Sequence, residues 1–204
     1  MKKILTFLMI VMALFAFISC DNGNGGNPGT DNTDPDKVAA TFSDCTTVVN
    51  STEGITLSDG NWTVTAFEPE DEGWSSSMII KATVKDGVKT FTSGTETIKM
   101  DCAIKFKDNP EVLEALEGLS DDEKTKMMEE MQGEKPEGAK VEWDGLKIIM
   151  TMSIEKEDLD DMAEELDFSK LPSDAVVKSN ADNTKYVIII EYEDDKEEIY
   201  ISKD

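Results

Sequence analysis

Four acidic side chains, Glu68, Glu70, Asp71 and Glu72, stand within five residues just ahead of Gly73-Trp74. Carboxylates this close could hold a divalent cation weakly, or supply the acid and its partner for glycoside cleavage. The chain carries 44 Asp plus Glu, so such groupings arise by chance, and a solvated loop is the expected form here. A second acidic group, Glu155, Glu157, Asp158, Asp160 and Asp161, crowds the start of an expected helix, where the helix dipole favours negative charge without any function. Met127, Met128 and Met131, with Met150 and Met152, offer thioethers suited to Cu(I). All five also fit apolar faces, where Met is an adaptable core filler, and core is the reading adopted. Trp62, Trp74 and Trp143 could line a sugar or lipid pocket. Trp62 and Trp143 fall in strand patterns and are expected in the core. Trp74, before Ser75-Ser76-Ser77, is expected in a loop and is the ligand-facing candidate.

What is missing narrows the chemistry further. The sequence has no His and no Arg. That removes Ser/His/Asp and Cys/His catalysis, imidazole metal sites and the bidentate reader of phosphate and guanine. A formal charge of −24 repels nucleic acid and anionic headgroups. No catalytic residue, metal ligand or cofactor is assigned, and the chain is expected not to be an enzyme.

The N-terminus carries the most specific pattern. Met1-Lys2-Lys3 is followed by an uncharged, apolar run of 15 residues from Ile4 to Ile18, and then by Ser19-Cys20. A spanning helix needs about 20 apolar residues, so this layout implies a secretory signal peptide over residues 1–19. Phe17-Ile18-Ser19-Cys20 resembles the lipobox of bacterial lipoproteins, with Phe17 where that pattern favours Leu. The resemblance implies cleavage before Cys20, lipid attachment at Cys20 (two or three acyl chains, such as palmitate) and tethering to a membrane of the cell envelope. Asp21 resembles an inner-membrane retention signal of some double-membraned bacteria, and the leaflet stays open. The remaining segment to residue 37 is built of Asn, Gly, Asp, Thr and Pro, and is expected to be a flexible linker. Its Asp31, Asp34 and Asp36 lack the alternation and terminal Glu of an EF-hand loop.

With Cys20 assigned, Cys45 and Cys102 remain, and an exported chain makes a disulfide between them the expectation, two separate buried thiols being the alternative. Residues 38–204 form one expected domain of 167 residues. Asp86-Gly87 between Met78–Lys85 and Val88–Ser93 is a strong hairpin signal. Ile98, Met100, Cys102, Ile104 and Phe106 alternate as one face of a strand. Val112, Leu113, Leu116 and Leu119 recur at helical spacing, and Ser120 with Glu123 fits a capping box, giving a helical hairpin over about 110–132. Strand patterns at 140–143 and 147–154 precede a helix carrying Leu159, Met162, Ala163 and Leu166 on one stripe. Three further strands close the chain, at 175–178, 185–192 and 197–202. The predicted fold is α+β: an antiparallel β-meander forming a curved sheet or incomplete barrel, packed by the inserted helical hairpin and a second helix. Gly60-Asn61-Trp62 superficially resembles the start of lipocalin-like barrels, though helices inserted at 110–132 and 156–168 depart from that plan.

The functional expectation is a membrane-anchored lipoprotein acting as a non-enzymatic binding or envelope-interaction module, with an unidentified protein or small molecule as partner. Two alternatives stand beside it. One is a carrier of a small apolar ligand on the concave side of the sheet, and the other is a carboxylate-based hydrolase.

Overall fold

A computed structural model describes residues 34–49, 54–132, 135–136, 138–172, 174–191 and 196–204, the side chains of residues 69, 70, 132, 164 and 165 excepted. Cys20, the segment 1–19 and most of the linker therefore lie outside the described residues.

Nine strands pair into one open sheet: β1 (Thr47–Val49), β2 (Gly60–Asp71), β3 (Trp74–Lys85), β4 (Val88–Asp101), β5 (Lys140–Asp144), β6 (Lys147–Ser153), β7 (Val176–Ser179), β8 (Lys185–Glu191) and β9 (Lys196–Lys203). Their order is β1-β7-β8-β9-β2-β3-β4-β6-β5, and every pairing is antiparallel. The predicted simple meander holds within the runs β2-β3-β4, β5-β6 and β7-β8-β9. The runs are then joined out of sequence, β9 beside β2 and β1 beside β7. Asp86 and Gly87 both take positive φ (53° and 77°), the conformation that lets a two-residue turn follow the twist of the β3–β4 ribbon.

Five helices complete the described chain: α1 (Pro35–Thr41), α2 (Cys102–Lys105), α3 (Pro110–Glu117), α4 (Asp121–Gln132) and α5 (Lys156–Glu165). Helix α1 begins inside the segment expected to be linker, because Asp34 caps it, accepting from the amides of Asp36 and Lys37 at 3.1 and 3.3 Å. The predicted hairpin is α3 and α4, and Glu123 accepts from both the Ser120 amide and hydroxyl, at 3.0 and 2.6 Å. One element differs in kind. The alternation through Cys102, Ile104 and Phe106 is not a strand: β4 stops at Asp101, whose carboxylate accepts from the Ala103 amide at 2.9 Å and starts α2. Ile104 is left exposed.

The register sorts side chains onto two sides. Trp62, Val64 and Ala66 of β2 share one side with Ile80 and Ala82 of β3 and with Ile188, Ile199 and Ile201 of β8 and β9, and there they meet Leu159 and Met162 of α5 in the main core. The stripe predicted for α5 is the stripe that packs. Gly94 allows its approach, since a Cβ there would lie 2.8 Å from Ile154 and 2.9 Å from Leu159 side-chain atoms. On the same side, Met100, Cys102, Ile148, Leu116 and Met128 form a second cluster under α2, α3 and α4. The opposite side is covered by α1 alone among the described helices, through Val38, Phe42 and Cys45 against Val187 and Tyr200. Lys185 clips that helix down, donating to the Thr41 carbonyl at 2.7 Å and pairing with Asp44 at 3.1 Å.

Candidate functional site: a carboxyl pair in the seam between two cores

The helix-covered side has a gap in its apolar character. Glu68 continues the inward row Trp62, Val64, Ala66 of β2, and faces Ser76 across the β2–β3 pairing. Glu96 continues the inward row Met100, Ile98 of β4, with Met78 on one flank and Met152 on the other. These residues lie where β3 passes from Met78, in the main core, to Trp74, at the margin of the second cluster. Glu197 extends the inward row Ile201, Ile199 of β9 in the same way, and is buried. Three apolar rows thus run out into glutamates on one side of the sheet.

Glu96 is the chemically unusual member. It is only 9% exposed. Burial first, and then the negative field of Glu68, push its carboxyl up to about 7. Ser76 Oγ donates to Glu68 Oε2 at 3.1 Å. A carboxylic acid half-protonated near neutral pH beside a second carboxylate can give or take a proton, which is the pairing that acid–base catalysis uses. It can equally act as a structural group that resists charging.

The four acids singled out in the sequence do not gather. Only Glu68 turns into the seam, Asp71 and Glu72 are exposed, and the Glu70 side chain lies outside the described residues. Nor is the segment a loop: β2 runs to Asp71, and Glu72-Gly73, with φ of 46° and 87°, is a tight turn like Asp86-Gly87. Trp74 accordingly opens β3, half-buried against the second cluster with Lys105 Nζ 5.9 Å from its ring, so it does not stand free in a loop. Trp62 is fully buried, and Trp143 packs on the second cluster. Met127, Met128 and Met150 belong to that cluster too, while Met131 is 45% exposed.

The expected Cys45–Cys102 bridge is not formed. Both thiols are free and buried, Cys45 under α1 on one side of the sheet and Cys102 in the second cluster on the other. Burial raises both, Cys102 to about 11, so each is held as the unreactive thiol.

Sequence reasoning passed over Glu96 and Glu197, although a signal was present. In each strand the glutamate sits two residues beyond an apolar row, at inward parity. Two lysines are also drawn in from solvent, Lys124 buried and Lys89 half-buried. Lys89 lies between the rings of Phe91 and Phe168 (4.8 and 4.7 Å), donates to the Leu166 carbonyl at the end of α5, and is held below the usual lysine range by burial. Lys124 of α4 donates to the Gly145 carbonyl at 2.9 Å and tops the Trp143 ring at 5.3 Å. Both tie a helix to the sheet through backbone carbonyls, a structural use of charge.

No protein-family model matches the chain, and neither the curated proteins nor the solved structures compared with it include a match.

Proposed function

We propose that this protein is a lipoprotein, held at an envelope membrane by acyl chains on Cys20, whose domain works by binding and not by catalysis. The observation that carries the binding role is the sheet's uneven covering. Two apolar clusters fill one side, while none of the described clusters forms on the outward side of β3, β4, β6 and β5. That outward side buries Ser77 and Thr97 at its middle, leaves Ile79 and Ile149 half-buried and exposes lysines at its rim, a strand surface that on a tethered domain is suited to meeting another surface. The anchor rests on residues 1–20. In the finer fold reading the sheet is curved, an incomplete barrel within an α+β fold. The register shifts at Glu68/Asp71 and Lys81/Ala82 support this, because a bulge bends its strand. Metabolic labelling with a fatty-acid analogue tests the anchor: wild type incorporates label and Cys20→Ser does not. An unlabelled wild type, or an equally labelled variant, overturns it.

A second reading, a carboxylate-based hydrolase, draws on the Glu68–Glu96 pair. It expects turnover of aryl glycosides by wild type and a loss of about a thousandfold in Glu96→Gln, the scale of a removed general acid. Wild type inert across such a panel ends it. For the carrier of an apolar ligand, the side chains of the two clusters already occupy the covered side.

A further inference from the structure

Charge is divided between the two sides of the sheet. The helical stretches 102–132 and 154–174, which cover one side, carry 18 acids against six lysines. The outward positions of β3, β4, β6 and β5 carry five lysines, Lys81, Lys85, Lys99, Lys140 and Lys147, against the acids Asp101, Glu142 and Asp144, with Asp204 reaching in to pair with Lys81 at 3.3 Å. Between them the surface is neutral, lined by residues such as Ser75, Thr95 and Thr151 with Ile79 and Ile149. In a chain of net charge −24 this side is close to balanced, whereas the helix-covered side is strongly acidic. Lys140 and Lys147 keep 70% and 61% of their side chains exposed while pairing with Glu142 and Asp101.

The tether leaves from the same side. Helix α1 packs on outward residues of β8 and β9, Val187 and Tyr200, so the chain enters the domain there, at Asp34. Thirteen residues separate Asp34 from Cys20, a reach of at most about 45 Å.

We infer that the outward side of β3-β4-β6-β5 is the membrane-facing surface of the domain, seated against the anionic headgroups of the bilayer that holds Cys20, with the acidic helices turned to solvent. The inference rests on the lipoprotein reading. Net charge opposes approach, and the acyl chains supply the hold. The division of charge then selects the orientation, because lysines near an anionic surface are attracted and acids repelled within a Debye length of about 10 Å. The occupant is a lipid surface, because the acyl chains on Cys20 keep a bilayer within the tether's reach of this side.

Full-length, acylated protein reconstituted on vesicles tests this. A nitroxide is placed at Ser93→Cys, exposed on the outward side, or at Glu130→Cys, exposed on α4. Cys45 and Cys102 are buried and do not compete for label. On phosphatidylcholine–phosphatidylglycerol vesicles carrying headgroup-bound nickel, the Ser93 position relaxes about fivefold faster than the Glu130 position, and 0.5 M salt reduces the difference. Lys140→Gln with Lys147→Gln, at two exposed sites, weakens the preference, and Lys→Arg at both keeps it. Equal relaxation at the two labels, or faster relaxation on α4, overturns the orientation alone. Protein that fails to float with neutral phosphatidylcholine vesicles overturns the anchor and the orientation with it.

Discussion

Glu96→Gln makes the protein more stable at pH 8 by about 3 kcal/mol and leaves it nearly unchanged near pH 4.5. The direction follows from proton binding. An unfolded glutamate releases its proton around 4.5, whereas the folded Glu96 holds it until about 7. Below 4.5 both states are protonated and the residue costs nothing through this route. Between 4.5 and 7 the folded state binds more protons than the unfolded one, so stability falls as pH rises. Above that window both states are ionised and the full cost of a buried charge beside Glu68 is present. Glutamine keeps the shape and removes the charge. Urea unfolding of both proteins at pH 5 and pH 8 measures the effect, the other acids being common to both. Parallel losses in the two proteins would mean that Glu96 is ordinarily ionised in the fold.

Trp62→Ala removes about 3–5 kcal/mol, the usual cost of truncating a large aromatic in a filled core. Trp62 has no exposed surface, and its Nε1–H donates to the Ser58 carbonyl at 2.9 Å. Its ring lies 6.2 Å from that of Tyr186, and Lys203 Nζ stands 5.7 Å from it. The side chain therefore joins β2 both to the segment preceding it and to β8. Domains of this size have roughly 5–15 kcal/mol in hand, so the variant approaches the limit of folding. Denaturant titration measures the loss, and a change below about 1 kcal/mol would contradict the packing described.

Much of the architecture was legible because its signals are local. Asp86-Gly87 admits few conformations, Ser120 and Glu123 satisfy one helix end, and Leu159 with Met162 can share a face only on a helix. The errors arise where an interaction outside the hydrophobic pattern decides. Alternation through Cys102, Ile104 and Phe106 is compatible with a strand. The Asp101 cap and the bond from the Cys102 amide to the Leu146 carbonyl (3.0 Å) decide otherwise. Glu68 and Glu96 are 28 positions apart, and only the β2-β3-β4 register brings them to one side. The parity of Cys45 and Cys102 suggested a bridge, but a count of thiols carries no information about which side of a sheet each occupies.

The pairing of β9 with β2 has a consequence for how the chain acquires its fold. β2, β3 and β4 can zip together as soon as they are made, since their links are two-residue turns. The far edge of β2 then stays open until Lys196–Lys203, some 125 residues later, has been synthesised. Until then, Trp62, Val64 and Ala66 lack half of their cover and the edge is free to pair wrongly. Folding is thus gated by β9.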